Sequence, residues 1–222
     1  MIAAMVFAAG LGTRMRPLTD AMPKAMVRVA GRPLIDHALE QVAGAAPLAV
    51  NAHHHAGQLQ AHLAGRDLTV LVEDPLLETG GGLRNAMGVL GDGPVLTMNA
   101  DAAWTGPRAI ETLAAAWDPT RMDGLLLLVD PARTAGPCGA DFGIAADGAL
   151  TRAARPLGYT GAGIVKTEAL ARVPDRVFSL WELWRPMLAA GRLHGTRHPG
   201  GWADVGTPEG IARAEAMLAA AA

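Results

Sequence analysis

Five short, largely apolar runs punctuate the first 130 residues: Ala3–Ala9, Pro47–Asn51, Leu68–Val72, Pro94–Met98 and Leu125–Val129. A run without polar alternation reads as a strand buried on both faces, and such a strand needs helices above and below it. The intervening segments supply them. Gly31-Arg32-Pro33 precedes Leu34, Ile35, Ala38, Leu39 and Val42, which share one helix face, with Pro33 in a first turn that tolerates it. Ala56–Ala64, Gly80–Leu90 and Arg108–Trp117 carry further helical patterns. This alternation predicts an α/β three-layer sandwich with a mostly parallel central sheet.

The second half is less regular. Phe142–Ala145, Ala149–Ala153, Gly161–Val165 and Arg192–His198 read as short strands. Leu180–Ala190 reads as a helix that Pro186 kinks or splits. A terminal helix opens at Thr207 as N-cap with Pro208 at its first position. No repeat, linker or composition break divides the 222 residues, and half of them are apolar, so a single domain spanning 1–222 is expected. The net charge of −2 argues against a nucleic-acid partner. One cysteine, Cys138, excludes an internal disulfide or a Cys-rich metal scaffold. No apolar stretch approaches the ~20 residues of a membrane helix. Met1–Gly12 lacks a basic segment and runs into a glycine turn, so it reads as a strand and not a secretory leader. The expectation is a cytoplasmic protein with no membrane partner, monomeric or a small homo-oligomer.

The chemistry concentrates where the first strand ends: Ala8-Ala9-Gly10-Leu11-Gly12-Thr13-Arg14-Met15-Arg16-Pro17-Leu18-Thr19, then Pro23-Lys24. Two glycines let the backbone approach a ligand, and successive N–H groups can form an anion nest. Arg14 and Lys24 add fixed charge, so a polyphosphate is the expected ligand. The chain has no G-x-x-x-x-G-K-[ST] loop, and Met15 stands where a dinucleotide fingerprint needs its third glycine. Only Lys24 and Lys166 are lysines among 19 cationic residues. An ammonium at position 24 therefore suggests a compact point charge, while Lys166 reads as a solvated residue at a helix start and Arg16 as a salt-bridging neighbour of Arg14. Asp101 closes the run Val95–Met98 through Asn99-Ala100, and Asp204 follows another short apolar segment. Each alone reads as a turn or cap residue. Together with phosphate oxygens and water, two carboxylates make a hard oxygen site suited to Mg²⁺.

The front motif, with Asn99-Ala100-Asp101, Pro75-Leu76-Leu77-Glu78-Thr79-Gly80-Gly81-Gly82, Val50-Asn51-Ala52-His53 and Trp202-Ala203-Asp204-Val205-Gly206-Thr207, resembles the sugar-1-phosphate nucleotidyltransferases over nearly the whole chain. The resemblance implies a Rossmann-like fold, with about 1–130 as the nucleotide half and about 131–222 as the sugar half. It implies transfer of a nucleotidyl group, a uridylyl group first of all, from a nucleoside triphosphate such as UTP to a sugar 1-phosphate, with pyrophosphate released. It assigns Arg14 to the leaving pyrophosphate and Lys24 to the α-phosphate and sugar phosphate, and it makes Asp101 and Asp204 the Mg²⁺ ligands. Ala9, Gly10, Gly12, Thr13, Asn51, Thr79 and Gly80 become nucleotide contacts. Asp141, Gly143 and Gly163 become sugar contacts. The family commonly has a glycine before the first metal-binding Asp, where this chain has Ala100. Many relatives follow the first sugar segment with Glu-Lys-Pro. Here it reads Ala154-Arg155-Pro156, which disfavours a plain hexose and suits a bulkier, acidic sugar such as N-acetylmuramate, whose lactyl carboxylate Arg155 would face. Guanylyl or cytidylyl transfer to mannose-, heptose- or choline-phosphate is the alternative within the class, and a catalytically silent nucleotide-sugar sensor the alternative outside it.

Other features read as structural. Three consecutive residues, His53, His54 and His55, cannot all face one ion from a regular strand, so a metal centre there is disfavoured and His53 is read as lining the nucleotide pocket. Asn51 could meet a base or ribose, or cap a turn. Cys138 has no evident His and Asp or Asn partners. Trp181 and Trp184, at i and i+3, read as core.

Overall fold

The computed structural model describes residues 1–139, 141–151 and 156–221. The elements in chain order are β1 Ala3–Phe7, β2 Arg28–Val29, β3 Arg32–Pro33, α1 Leu34–Gln41, β4 Leu48–Ala52, α2 Ala56–Leu63, β5 Thr69–Val72 and α3 Glu78–Leu90. They continue with β6 Val95–Asn99, β7 Ala102–Trp104, α4 Ala109–Ala116, β8 Gly124–Val129, β9 Gly143–Ile144, β10 Leu150–Thr151 and β11 Gly158–Val165, then α5 Trp181–Ala189, β12 Leu193–Arg197, β13 Trp202–Asp204 and α6 Pro208–Ala221.

A seven-stranded sheet in the order β12-β8-β11-β6-β1-β4-β5 forms the middle layer. Pairing is parallel except around β11, which runs antiparallel to both β6 and β8. The mostly parallel sheet expected from the apolar runs is therefore present, with one reversed strand. Alternate residues of each strand serve opposite layers, as the pleat requires. Val6, Leu96, Leu125 and Leu127 meet Ile35, Ala38, Leu59 and Leu113 from α1, α2 and α4. Met5, Val95, Leu126 and Leu128 meet Leu83, Ala86, Leu183 and Met187 from α3 and α5. Pro186 stays inside α5 without splitting it. Pro33 sits one position before α1, at its N-cap. Part of the expected strand Ala149–Ala153 lies outside the described residues. Among the described residues no helix is long and apolar enough to cross a membrane.

The chain order creates the site. From β1 the chain builds β4 and β5 on one side, then returns to place β6 on the other side of β1. Adjacent strands that lead away in opposite directions leave a crevice at their carboxyl ends, the usual ligand position in an open α/β sheet. A smaller cluster supports that crevice from outside the sheet. Met15 from the glycine-turn segment, Val27, Leu34, Ala103, Ala203, Val205 and Ala214 pack together. They seat the front motif on a two-stranded ribbon of β7 and β13, backed by α6. That ribbon was absent from the sequence expectation, because three-residue strands carry too little periodicity to be read.

Candidate active site

A cleft of about 220 Å³ opens at the carboxyl ends of β1 and β6. One wall is Ala8-Ala9-Gly10, the opposite wall is Leu76, Glu78 and Thr79 at the start of α3, and Lys24, Asn99, Ala100 and Asp101 lie between. Gly12 has φ +64°, which favours glycine. A methyl there would stand 2.8 Å from Thr19 Cγ2 and 3.0 Å from Lys24 Cβ, so the glycine is what lets the Thr19 and Lys24 side chains pack against the loop. Thr19 Oγ1 donates to the Gly12 carbonyl at 2.8 Å and locks the turn.

The acidic pair is assembled by the ribbon. Ala102 of β7 is paired with Asp204 of β13, and Val205 N donates to the Asp101 carbonyl at 2.8 Å. Asp101 leaves the end of β6 and Asp204 the end of β13, so an antiparallel pairing across about a hundred residues of chain brings the two carboxylates into one field. Lys24 Nζ lies 2.7 Å from Asp101 Oδ2. Burial, then the Asp101 charge, push the Asp204 carboxyl above its ordinary range, against the smaller opposing pull of Lys24 and Arg14. Arg14 converges on the same point. A methyl on Gly206 would stand 2.6 Å from Asp204 Oδ2 and 3.0 Å from Arg14 Nη2. Arg14, Lys24, Asp101 and Asp204 thus form one cluster of two cations and two anions. Among the described residues no three His, Cys, Asp or Glu side chains gather as a self-sufficient metal centre. What the cluster offers is two carboxylates, hard oxygen donors, beside two cations.

The expected nucleotide contacts divide. Ala9, Gly10, Asn51 and Thr79 line the cleft. Gly12 and Thr13 stand behind or outside that lining. Gly80 N donates to the Phe178 carbonyl at 2.8 Å, and a methyl on Gly80 would overlap the Phe178 ring at 2.5 Å, so Gly80 is occupied by a protein strap and not open to a ligand. Thr79 Oγ1 accepts from Leu180 N at 2.9 Å in the same strap. Asn51 reaches the cleft wall, yet Oδ1 accepts from Ala8 N at 2.7 Å and Nδ2 donates to Glu73 Oε1 at 2.8 Å.

The sugar assignments fare differently. Gly163 lies inside the sheet, paired with Thr97 of β6 and Leu126 of β8, where a methyl would stand 2.8 Å from the Leu125 carbonyl oxygen. It is a packing glycine. At the cleft end of the same strand, Gly161 has φ +84° and closes on Asn99. Gly143 pairs with Thr151 in the β9–β10 ribbon. Asp141 Oδ2 accepts from Tyr159 N at 2.9 Å. Arg155 lies outside the described residues.

His53 does not line the cleft. His53 Nδ1, His54 Nε2 and His55 Nε2 meet the carbonyls of Glu73, Thr19 and Asp20 at 2.9, 2.9 and 3.1 Å. The last two staple the far side of the front motif to the start of α2. Arg16 pairs with Asp20 at 3.3 Å. Lys166 is no solvated helix-start residue, for it pairs with Asp123 at 2.8 Å at the end of β11. Trp184 packs edge-on to Tyr159, whereas Trp181 remains 40% exposed. Cys138 is a free, half-buried thiol. The sequence analysis gave no role to Glu73, Asn99 or Glu78, although Asn99 and Glu78 stand inside two of its quoted motifs. Glu78 has a left-handed backbone (φ +60°) on a non-glycine residue, and backbone angles are not written in the residue string.

The MobA-like NTP transferase domain family matches residues 4–176. The chain is 42% identical over 235 aligned positions to N-acetylmuramate alpha-1-phosphate uridylyltransferase of Caulobacter vibrioides, covering 98% of this chain and 97% of that protein. It is 31% identical to the protein of that name from Neisseria meningitidis serogroup B, covering 98% of each. Among solved structures, HddC from Yersinia pseudotuberculosis complexed with GMP-PN superposes with a TM-score of 0.77 at 19% identity, covering 98% of this chain and all of that one. An apo UDP-glucose pyrophosphorylase gives 0.77 at 17% identity with 99% of each chain covered.

Proposed function

The chain belongs to the MobA-like NTP transferase family, and from its likeness to the two N-acetylmuramate alpha-1-phosphate uridylyltransferases we propose that it transfers a uridylyl group from UTP to N-acetylmuramate 1-phosphate, releasing pyrophosphate, in cell-wall sugar recycling. The observation that carries this reading is the convergence of Asp101 and Asp204 beside Lys24 and Arg14 at the cleft between β1 and β6.

The acceptor phosphate has a second pKa near 6 and is largely ionised at neutral pH. It needs no general base, and the cleft offers no histidine in its lining. The obstacle is repulsion between two anions, about 4 kcal/mol for one pair of unit charges at ~4 Å and an effective dielectric of ~20. Lys24 and Arg14 meet that obstacle. Lys24 gives its ammonium to the α-phosphate and the incoming sugar phosphate once it exchanges Asp101 for substrate, and Arg14, at the outer edge of the site, holds the departing pyrophosphate. Asp101 and Asp204 would hold Mg²⁺, which would supply positive charge to the phosphoryl oxygens. The paired carboxylates, one with an upward-shifted pKa, have the donor chemistry for that ion. Residues up to about 130 serve the nucleotide and the later ones the sugar, with Asp141 and Gly143 on that side.

Pyrophosphate release tests the reading. UTP, CTP, GTP, ATP and dTTP are each offered with N-acetylmuramate 1-phosphate, N-acetylglucosamine 1-phosphate, glucose 1-phosphate and mannose 1-phosphate. The expected productive pair is UTP with N-acetylmuramate 1-phosphate. Preferential release from GTP or CTP with another phosphate would replace both substrates. No release from any pair would leave a nucleotide-sugar sensor.

A further inference from the structure

Behind the cleft lies a buried acid that none of the reacting groups touches. Glu73 follows β5 and is 2% exposed. Its two oxygens accept from neutral donors, Oε1 from Asn51 Nδ2 at 2.8 Å and Oε2 from Leu77 N at 3.0 Å. Asn51, 3% exposed, passes the connection on through Oδ1 to Ala8 N at 2.7 Å. The ends of this relay are informative. Ala8 immediately precedes Ala9-Gly10, one wall of the cleft, and Leu77 immediately precedes Glu78-Thr79, the other. The carboxylate also sits at the start of α3, where the helix dipole favours a negative charge. Room for it comes from Gly82, since a methyl there would lie 2.7 Å from Glu73 Oε1 and 2.9 Å from Asn51 Nδ2. A buried carboxylate satisfied only by neutral donors is costly compared with an apolar residue of the same size. Its geometry gives it one distinctive property: it accepts at once from the Asn51 side-chain amide at the end of β4 and from the Leu77 backbone N–H at the start of α3.

We infer that Glu73 is a positioning residue for the nucleotide: through Asn51 it sets the distance between the Ala8–Gly10 wall and the Leu77–Thr79 wall. This rests on the reading of the cleft as the triphosphate site. Asp101 and Asp204 hang from β6 and β13, and Arg14 and Lys24 lie further along the front segment beyond the Ala8–Gly10 wall, so Glu73 governs how well the nucleoside is held and not how fast the phosphoryl group moves.

Glu73→Gln turns one acceptor into a donor and leaves two donors facing each other, either at Asn51 or at Leu77. Steady-state kinetics with UTP and with the sugar phosphate, and calorimetric titration of UTP, are run on the wild type and Glu73→Gln, with melting temperature as the folding control. Glu73→Gln is expected to raise the UTP KM by about tenfold with kcat within about threefold and the sugar-phosphate KM unmoved. Should Glu73→Gln give too little folded protein, Glu73→Asp, which keeps the charge but shortens the reach by one methylene, is read against the same criteria. A folded variant with an ordinary UTP KM overturns the inference, as does a lowered melting temperature with KM unchanged, or a fall in kcat as large as the rise in KM. If the wild type takes a different triphosphate, the proposed substrate falls, and the same comparison made with that triphosphate still decides the role of Glu73.

Discussion

Asp204 is where charge at the site is least comfortable. Its carboxyl titrates above the ordinary value of 3.8, first because it is buried and second because Asp101 is near. A raised value means the fold prefers the protonated form, so the stability Asp204 contributes is complete below about pH 3.8 and is lost as pH rises through the folded value. At pH 7 the ionised group is a load on the metal-free protein. Asp204→Asn should therefore melt at a higher temperature than wild type at pH 7 without metal, with the gain vanishing in acid, while turnover falls by about a hundredfold or more. Thermal melts at several pH values beside pyrophosphate assays check both halves. Lys24 makes the complementary case. It pairs with Asp101 at 2.7 Å and is mostly buried, so Lys24→Ala removes a cation from the middle of the site. The rate should drop by about a hundredfold or more, chiefly in kcat. A change confined to the triphosphate KM would show that the lysine binds the ground state and does not serve the transferring group.

Among the elements, the sheet edge opposite the cleft is tied by one residue. Asp123, just before β8, accepts from Lys166 at the end of β11 and from Arg192 just before β12, at 2.8 and 2.6 Å. The Arg192 hydrogen bond, with help from Lys166, lowers its carboxyl from 3.8 to about 2. Here the sign is reversed: the contribution is present above about pH 3.8 and is lost as pH falls through about 2. The side chain is 29% exposed, so solvent screening trims the value. Asp123→Asn should cost on the order of 1–2 kcal/mol at pH 7, and the deficit should shrink as unfolding is measured at successively lower pH between 4 and 2. Turnover should be nearly untouched, because this edge is remote from β1 and β6 carboxyl ends.

For the whole molecule, the site exists only in the assembled state, and ligands should report that. Two carboxylates alone hold a divalent cation weakly, whereas triphosphate oxygens complete its shell. Mg²⁺ alone should shift the melting temperature little. Mg²⁺ with UTP at a hundred times its dissociation constant should raise it by about 5 °C or more. Chelation with EDTA should reduce pyrophosphate release to background, and restored Mg²⁺ should recover it. A melting temperature that responds to UTP equally with and without the ion would separate nucleotide binding from the acidic pair.

The string of residues by itself determined the layers. Apolar runs such as Ala3–Phe7 and Leu125–Val129 leave no polar face, so each had to become an interior strand with helices on both sides. It also marked the front motif and the two strand-end aspartates that meet at the cleft, because glycines, an isolated lysine and strand-end acids are chemically distinctive as types. Tertiary structure alone decided what each of those residues does. Gly163 and Gly80 are read alike as open ligand contacts in one dimension, yet one lies within the sheet and the other under Phe178. The histidine run became three separate carbonyl contacts, and Glu73, unremarkable in sequence, became the bridge between two cleft walls. The reason is physical: hydrophobic patterning is local and survives in sequence, whereas the partner of a polar atom is set by which distant segments the sheet order brings within three ångströms.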